Sequence, residues 1–106
     1  MTDELRKRIG DTIARARVML FMKGNPAMPQ CGFSAAVVGI LKQTGVTFDS
    51  YNILADPELR EGLKEYSSWP TFPQLYIDGK LVGGADIVRD LHTKGELAQL
   101  LSAAQA

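Results

Sequence analysis

Three features of the sequence predict an α/β domain with a mixed four-stranded sheet and helices on both faces. The first is the run VMLFMK, Val18 to Lys23, where helical apolar spacing gives way to continuous apolarity, as in a strand covered on both sides. The second is the succession after it of loop, helix and strand, the components of a crossover unit. The third is TFPQLYIDGKLVGG, two apolar runs around Asp78-Gly79, a strong short-range hairpin signal.

The elements follow in order. Leu5, Ile9, Ile13 and Ala16 recur at helical spacing, which predicts a helix from Thr2 to about Ala16 with Thr2 or Asp3 near its cap. Val18 to Lys23 is the first strand, and GNPAMPQ after it reads as loop. Gly32 to Thr44 places Ala36, Val37, Ile40 and Leu41 on one helical face and is closed by Gly45. Val46 to Ile53 is the next strand, parallel to the first if the crossover is right-handed. Asp56-Pro57 supplies a cap and a first-turn proline for a helix with Leu59, Leu63 and Tyr66 inward. The hairpin follows. Asp86 opens a helix with Ile87, Val88 and Leu91 on one side, Gly95 breaks it, and Leu97, Leu100 and Leu101 mark a last helical stretch before a tail, SAAQA, expected to fray. A βαβ unit followed by a helix and a hairpin is the layout of the thioredoxin fold.

The length of 106 residues is that of one ordinary domain. Twelve basic and twelve acidic residues leave no net charge, and no Lys/Arg block offers the footprint that nucleic acid demands. No apolar run reaches the length of a membrane span. One cysteine cannot close an intrachain disulfide, which suits a reducing compartment and makes the cytoplasm the expected location. An organellar form whose transit peptide has been removed would read the same way.

That cysteine, Cys31, lies in PAMPQCGFSAAVV, where a Pro-rich turn hands over to a helix. A lone cysteine in mid-helix is ordinarily packed as a small hydrophobe. With a helix beginning at Gly32, Cys31 is instead its cap, where the free N–H groups of Phe33 and Ser34 and the positive end of the helix dipole favour the thiolate, the nucleophile and metal ligand. Ser34 stands where a dithiol redox motif has its second cysteine, and a hydroxyl cannot resolve a mixed disulfide. Pro73 interrupts a good strand, which marks an edge, a bulge or a cis bond. Trp69 reads equally as core, Lys23 and Arg60 as solvated cations, and Asp86 as a plain N-cap. His92 has no second histidine or carboxylate at ligand spacing and reads as structural.

KGNPAMPQCGFS, WPTFPQLYIDGKLVGGADI and the helix between them resemble the monothiol glutaredoxins of the CGFS type, from about Ile9 to Leu101. Four motifs in order carry the resemblance: a lysine before the loop, Cys-Gly-Phe-Ser, Trp-Pro-Thr-Phe-Pro, and Gly-Gly-X-Asp. It implies a thioredoxin-like fold, a cis Pro73 and glutathione as ligand. It also implies Lys23 and Arg60 on the glycine carboxylate and Phe72 paired main chain to main chain with the ligand's cysteine. Gly84, Ala85 and Asp86 would then meet the γ-glutamyl end, with Gly32, Phe33, Trp69 and Thr71 bordering the groove. Many CGFS relatives have a second cysteine where this chain has Ala85, so the resemblance carries over no intramolecular disulfide.

A two-iron, two-sulfur cluster normally takes four thiolates. The resemblance implies that two copies of Cys31 and two glutathiones supply them around a cluster-bridged homodimer, which delivers the cluster to apo iron–sulfur recipient proteins. It also suggests BolA-type proteins as partners. The alternative is a glutathione-dependent thiol-disulfide oxidoreductase that removes glutathione from proteins, with Cys31 as its catalytic nucleophile. A glutathione-binding redox sensor without cluster transfer is the third option.

Overall fold

Strand β1, Val18–Met22, is buried at every position and lies at the centre of the sheet. Its side chains alternate between two cores: Val18, Leu20 and Met22 enter one, Met19 and Phe21 the other. That is why its apolar run is continuous. The computed structural model describes residues 1–105, and the side chains of residues 103–105 are not described. The sheet order is β4-β1-β5-β6, with β1 parallel to β4 (Asp49–Asn52) and antiparallel to β5 (Gln74–Ile77), which pairs antiparallel with β6 (Lys80–Gly83). This is the mixed four-stranded sheet of the thioredoxin-like layout.

One face of the sheet is covered by α1 (Asp3–Ile13) and α3 (Pro57–Ser67), whose Ile9, Ile13, Leu59 and Leu63 pack on Met19, Phe21 and Tyr76. The other is covered by α2 (Gly32–Thr44), α4 (Ala85–Thr93) and α5 (Glu96–Gln105), which bring Val37, Leu41, Val88, Leu97 and Leu101 onto Leu20, Leu75 and Ile77. Thr2 caps α1 by accepting the Leu5 N–H at 3.0 Å. Helices α1 and α3 meet closely because Gly62 lacks a side chain: a Cβ there would stand 2.8 Å from Leu5 Cδ2. Asp78 and Gly79 both have positive φ, 52° and 78°, as a two-residue hairpin turn requires.

Several boundaries differ from the sequence reading. Helix α1 ends at Ile13, not Ala16, because the Arg15 N–H turns to the Thr12 carbonyl and tightens the last turn. The expected loop GNPAMPQ contains a small hairpin, β2 (Gly24–Asn25) with β3 (Met28–Pro29), closed by the Asn25 side chain accepting the Met28 N–H at 2.9 Å. Gly24 has φ of +87°, and a Cβ on it would lie 2.5 Å from the Met28 carbonyl. The parallel strand begins at Asp49, while Val46 and Phe48 pack on the core without joining the ladder. Ile53 has left the strand for a 3-10 turn, Ile53–Ala55, capped by Asn52. Tyr66 is exposed rather than inward, at the rim of the α1–α3 contact, with its hydroxyl near Gly10. Of the tail expected to fray, residues 102–105 continue α5 as helix, and Ala106 lies outside the described residues. Among the described residues, no helix is long and apolar enough to cross a membrane.

The start of α3 is held by Asp56. Its carboxylate accepts the Leu59 N–H at 3.1 Å, the Tyr51 hydroxyl at 2.6 Å and the Arg8 guanidinium at 2.7 Å. Arg8 foremost, then the Tyr51 and Leu59 donors, hold this carboxyl well below the usual range against a smaller cost of burial. A depressed folded pKa contributes stability that is present above the unfolded value of about 4 and lost as pH falls from there toward the folded value. Acid titration of Asp56→Asn is therefore expected to show a shallower loss of stability below about pH 4 than the wild type. Parallel acid-unfolding curves for the two proteins would contradict this assignment.

Candidate functional site

Cys31 is the N-cap of α2, with extended φ and ψ of −158° and 138°. It is half-buried, and it makes no formed side-chain cap hydrogen bond. Its thiol pKa is nonetheless lowered. The Ser34 N–H is the largest influence, burial opposes it, and the Phe33 N–H, the Lys23 charge and the Ser34 hydroxyl lower the pKa further. Ser34 itself is fully buried, and its hydroxyl accepts the Lys23 N–H at 3.1 Å. The position of a second redox cysteine is thus occupied by a group already bound to the backbone beside Lys23. Alkylation of Cys31 followed against pH is expected to titrate below the free-cysteine value of about 8.5, and Lys23→Met to move the midpoint up only in part, because the helix N–H groups remain. A wild-type midpoint at or above the free value would refute thiolate stabilisation.

Beside this cap lies a groove of about 370 Å³. Lys23 reaches it from the end of β1, Phe33 from the first turn of α2, and Arg60 and Lys64 from α3, one turn apart. Trp69, Pro70, Thr71, Phe72 and Pro73 form one wall, and Gly84, Ala85, Asp86 and Ile87 at the start of α4 another. The Phe72-Pro73 peptide is cis. The segments lie close: a Cβ on Gly84 would be 3.4 Å from both the Pro73 carbonyl and Trp69 Nε1. All the residues that the resemblance assigns to the ligand except Cys31 and Gly32 line the groove, and those two stand beside Phe33 at the start of α2.

Three cations, Lys23, Arg60 and Lys64, face one carboxylate, Asp86. Lys64 is paired with Glu61 at 2.9 Å, and Arg60 Nε comes no nearer than 4.0 Å to that carboxylate. Arg60 Nε and Trp69 Nε1 are buried without a hydrogen-bond partner among the described residues. Two orphaned donors in walls lined with cations fit an anionic ligand that orders the groove. Asp86 is not the N-cap of α4. Gly84 takes that place, with no side-chain cap bond, and Asp86 lies in the first turn with its side chain 89% exposed, 3.6 Å from Arg89. A glycine cap leaves the first N–H groups of the helix free of a side-chain acceptor.

Lys64 and Ile87 line the groove without having been read from the sequence as ligand contacts, while Pro70 does so as the Trp-Pro pair of the resemblance implies. Lys64 was within reach, since it follows Arg60 by four residues and so shares its helical face. Gln74 was also missed: it is fully buried, and its Nε2 donates to the carbonyls of Trp69 at 3.1 Å and Thr71 at 3.2 Å. His92 is hydrogen-bonded to Gln43, at 3.2 Å, in an exposed pair. Among the described residues no three His, Cys, Asp or Glu side chains gather as a metal site.

The family profile described as Glutaredoxin matches residues 18–82. The chain is 52% identical to the mitochondrial monothiol glutaredoxin-5 of Saccharomyces cerevisiae, over all of this chain and 73% of that protein. It is 49% identical to an uncharacterised ycf64-like monothiol glutaredoxin of Synechocystis, over all of this chain and 99% of the relative. Among solved structures, reduced apo GrxS14 of poplar superposes with a TM-score of 0.83 at 50% identity, covering 95% of this chain and 93% of the other.

Proposed function

The chain belongs to the glutaredoxin family as a monothiol member, and from that premise we propose that its groove binds glutathione and that it carries a two-iron, two-sulfur cluster. In this reading the cluster is cargo, held by Cys31 and glutathione from each of two copies of the chain and passed to apo iron–sulfur recipient proteins. The observation that carries the reading is the position of the chain's one thiol beside a groove with three cations and one carboxylate. Glutathione has the complementary pattern, two carboxylates and one ammonium.

Lys23 and Arg60 hold the glycine carboxylate through charge-assisted hydrogen bonds, with Lys64 adding positive charge. The main chain of Phe72 pairs with the ligand's cysteine. The first N–H groups of α4, beyond Gly84, receive the γ-glutamyl carboxylate, and Asp86, exposed beside Arg89, faces the ammonium. Phe33, Trp69, Thr71 and Pro73 shape the groove, and Ala85 packs beneath it. Bound glutathione supplies a second thiolate beside Cys31. Two ligands held without covalent bonds make the cluster labile, which suits delivery more than storage. A BolA-type protein could replace one copy, and the reducing cytoplasm suits a role that rests on one unpaired thiol.

The lowered pKa of Cys31 favours a second reading, as a deglutathionylating oxidoreductase. Its thiolate would attack the glutathionyl sulfur of a mixed disulfide and release the protein thiolate. A second glutathione thiolate would then attack the glutathionyl sulfur now bonded to Cys31, giving oxidised glutathione and releasing the Cys31 thiolate, because the buried Ser34 hydroxyl cannot resolve. Anaerobic reconstitution with iron, sulfide and glutathione distinguishes the two. The carrier is expected to develop cluster absorption in the visible, and a protein that stays colourless would leave the oxidoreductase.

A further inference from the structure

The groove wall from Trp69 to Pro73 has no ladder of its own, since β5 begins only at Gln74. Two of its five residues are prolines and donate nothing. Its backbone is tied at the Trp69 end, where the Trp69 N–H donates to the Ser67 hydroxyl and the Lys64 carbonyl, both at 3.2 Å, and across its Trp69 and Thr71 carbonyls it is fastened by one side chain from β5. The Gln74 amide is fully buried and donates to the carbonyls of both Trp69 and Thr71. Its oxygen accepts the Tyr76 hydroxyl at 3.0 Å, and Tyr76 is held by an edge-on contact with Phe21, ring centroids 5.5 Å apart. Burial pushes the Tyr76 pKa up to about 12, so its hydroxyl remains a donor across the physiological range. An apolar side chain would fill this space without the desolvation that a buried amide costs. The amide earns its place only if the two carbonyls must be held where they are.

We propose that Gln74 is a positioning residue of the groove: its amide holds the Trp69–Pro73 wall in the one backbone shape that pairs with an extended thiol peptide. Gln74 is not among the groove-lining residues and acts through the main chain on either side of Pro70. Both amide hydrogens are used on that wall, and the oxygen is anchored to the sheet through Tyr76. The wall is therefore referenced to β5 rather than to the loop itself. The proposal deepens the reading of the groove as a glutathione site and rests on it.

The test compares Gln74→Met and Gln74→Glu with Tyr76→Phe. Both of the first two keep the volume; Gln74→Met removes both donors, and Gln74→Glu leaves at most the single O–H of a protonated carboxyl. The third removes one hydrogen bond of the same buried network and leaves both carbonyl contacts. Three quantities are read well below each melting temperature: hydrogen exchange at the Thr71 and Phe72 amides without ligand, the glutathione dissociation constant, and the pH midpoint of Cys31 alkylation. Both Gln74 variants are expected to exchange faster at the wall and to bind glutathione roughly tenfold more weakly, with the Cys31 midpoint unmoved. Tyr76→Phe is expected to bind within about twofold of wild type. Wild-type exchange and affinity in a folded Gln74 variant would overturn the proposal, and so would equal weakening by Tyr76→Phe, which would mark a general loss of stability. If the wild type binds no glutathione, the ligand reading fails while the exchange rates still decide whether Gln74 fixes the wall. If neither Gln74 variant folds while Tyr76→Phe does, the residue is structural and the proposal falls.

Discussion

Replacing Cys31 by serine is expected to abolish cluster assembly and thiol chemistry together while leaving the fold intact. The chain has no other thiol to take over either role. Position 31 is the N-cap of α2, with extended backbone angles that serine adopts readily, and serine is among the preferred caps. Because the cysteine makes no side-chain cap bond, the hydroxyl is expected to hold stability within about 1 kcal/mol of wild type or to raise it. Visible absorption after reconstitution, alkylation and thermal unfolding check the three parts. A Cys31→Ser protein that keeps a normal cluster spectrum would sink cysteine ligation, and one that fails to fold would show that the thiol is structural.

The second large effect expected is a requirement for glutathione itself. Reconstitution with 2-mercaptoethanol supplies thiolate but no carboxylate, leaving Lys23, Arg60 and the first turn of α4 with nothing to hold. Little stable cluster is expected. Arg60→Ala and Lys23→Ala are each expected to cost on the order of 1.5 to 3 kcal/mol of glutathione affinity if their bonds to it are charge-assisted. The lower end is expected for Arg60, whose side chain is 38% exposed and therefore partly screened. Equal cluster yield and lifetime with the two thiols would remove glutathione from the ligand set.

What could be read in the chain before its structure divides along the range of the interactions involved. The run from Val18 announced a central strand because both of its faces are buried, and Cys31 announced a cap because a helical pattern starts at the next residue. Asp78-Gly79 announced the hairpin through the positive φ that its turn needs. The groove was different. Lys23, Arg60, Trp69 and Gly84 are far apart in the chain, and only the family resemblance joined them before the fold did. The hairpin Gly24–Pro29 was missed because its two strands, of two residues each, are too short to show alternation. Gln74 was missed for a related reason: a polar residue opening an apolar strand shows no partner until the Trp69 and Thr71 carbonyls come within reach. Asp86 passes for a cap in sequence, yet Gly84 caps α4 and leaves the carboxylate exposed at the mouth of the groove.

The most direct measurement of the central claim is the molar mass, by light scattering, of protein reconstituted anaerobically with glutathione, taken alongside turnover of a small glutathione mixed disulfide. A cluster that draws one Cys31 from each of two chains must hold a dimer, because each chain has a single thiol to give. The account predicts a coloured dimer with negligible turnover that falls to monomer when the cluster is chelated. A monomer that takes up no iron and turns over the mixed disulfide briskly would contradict it.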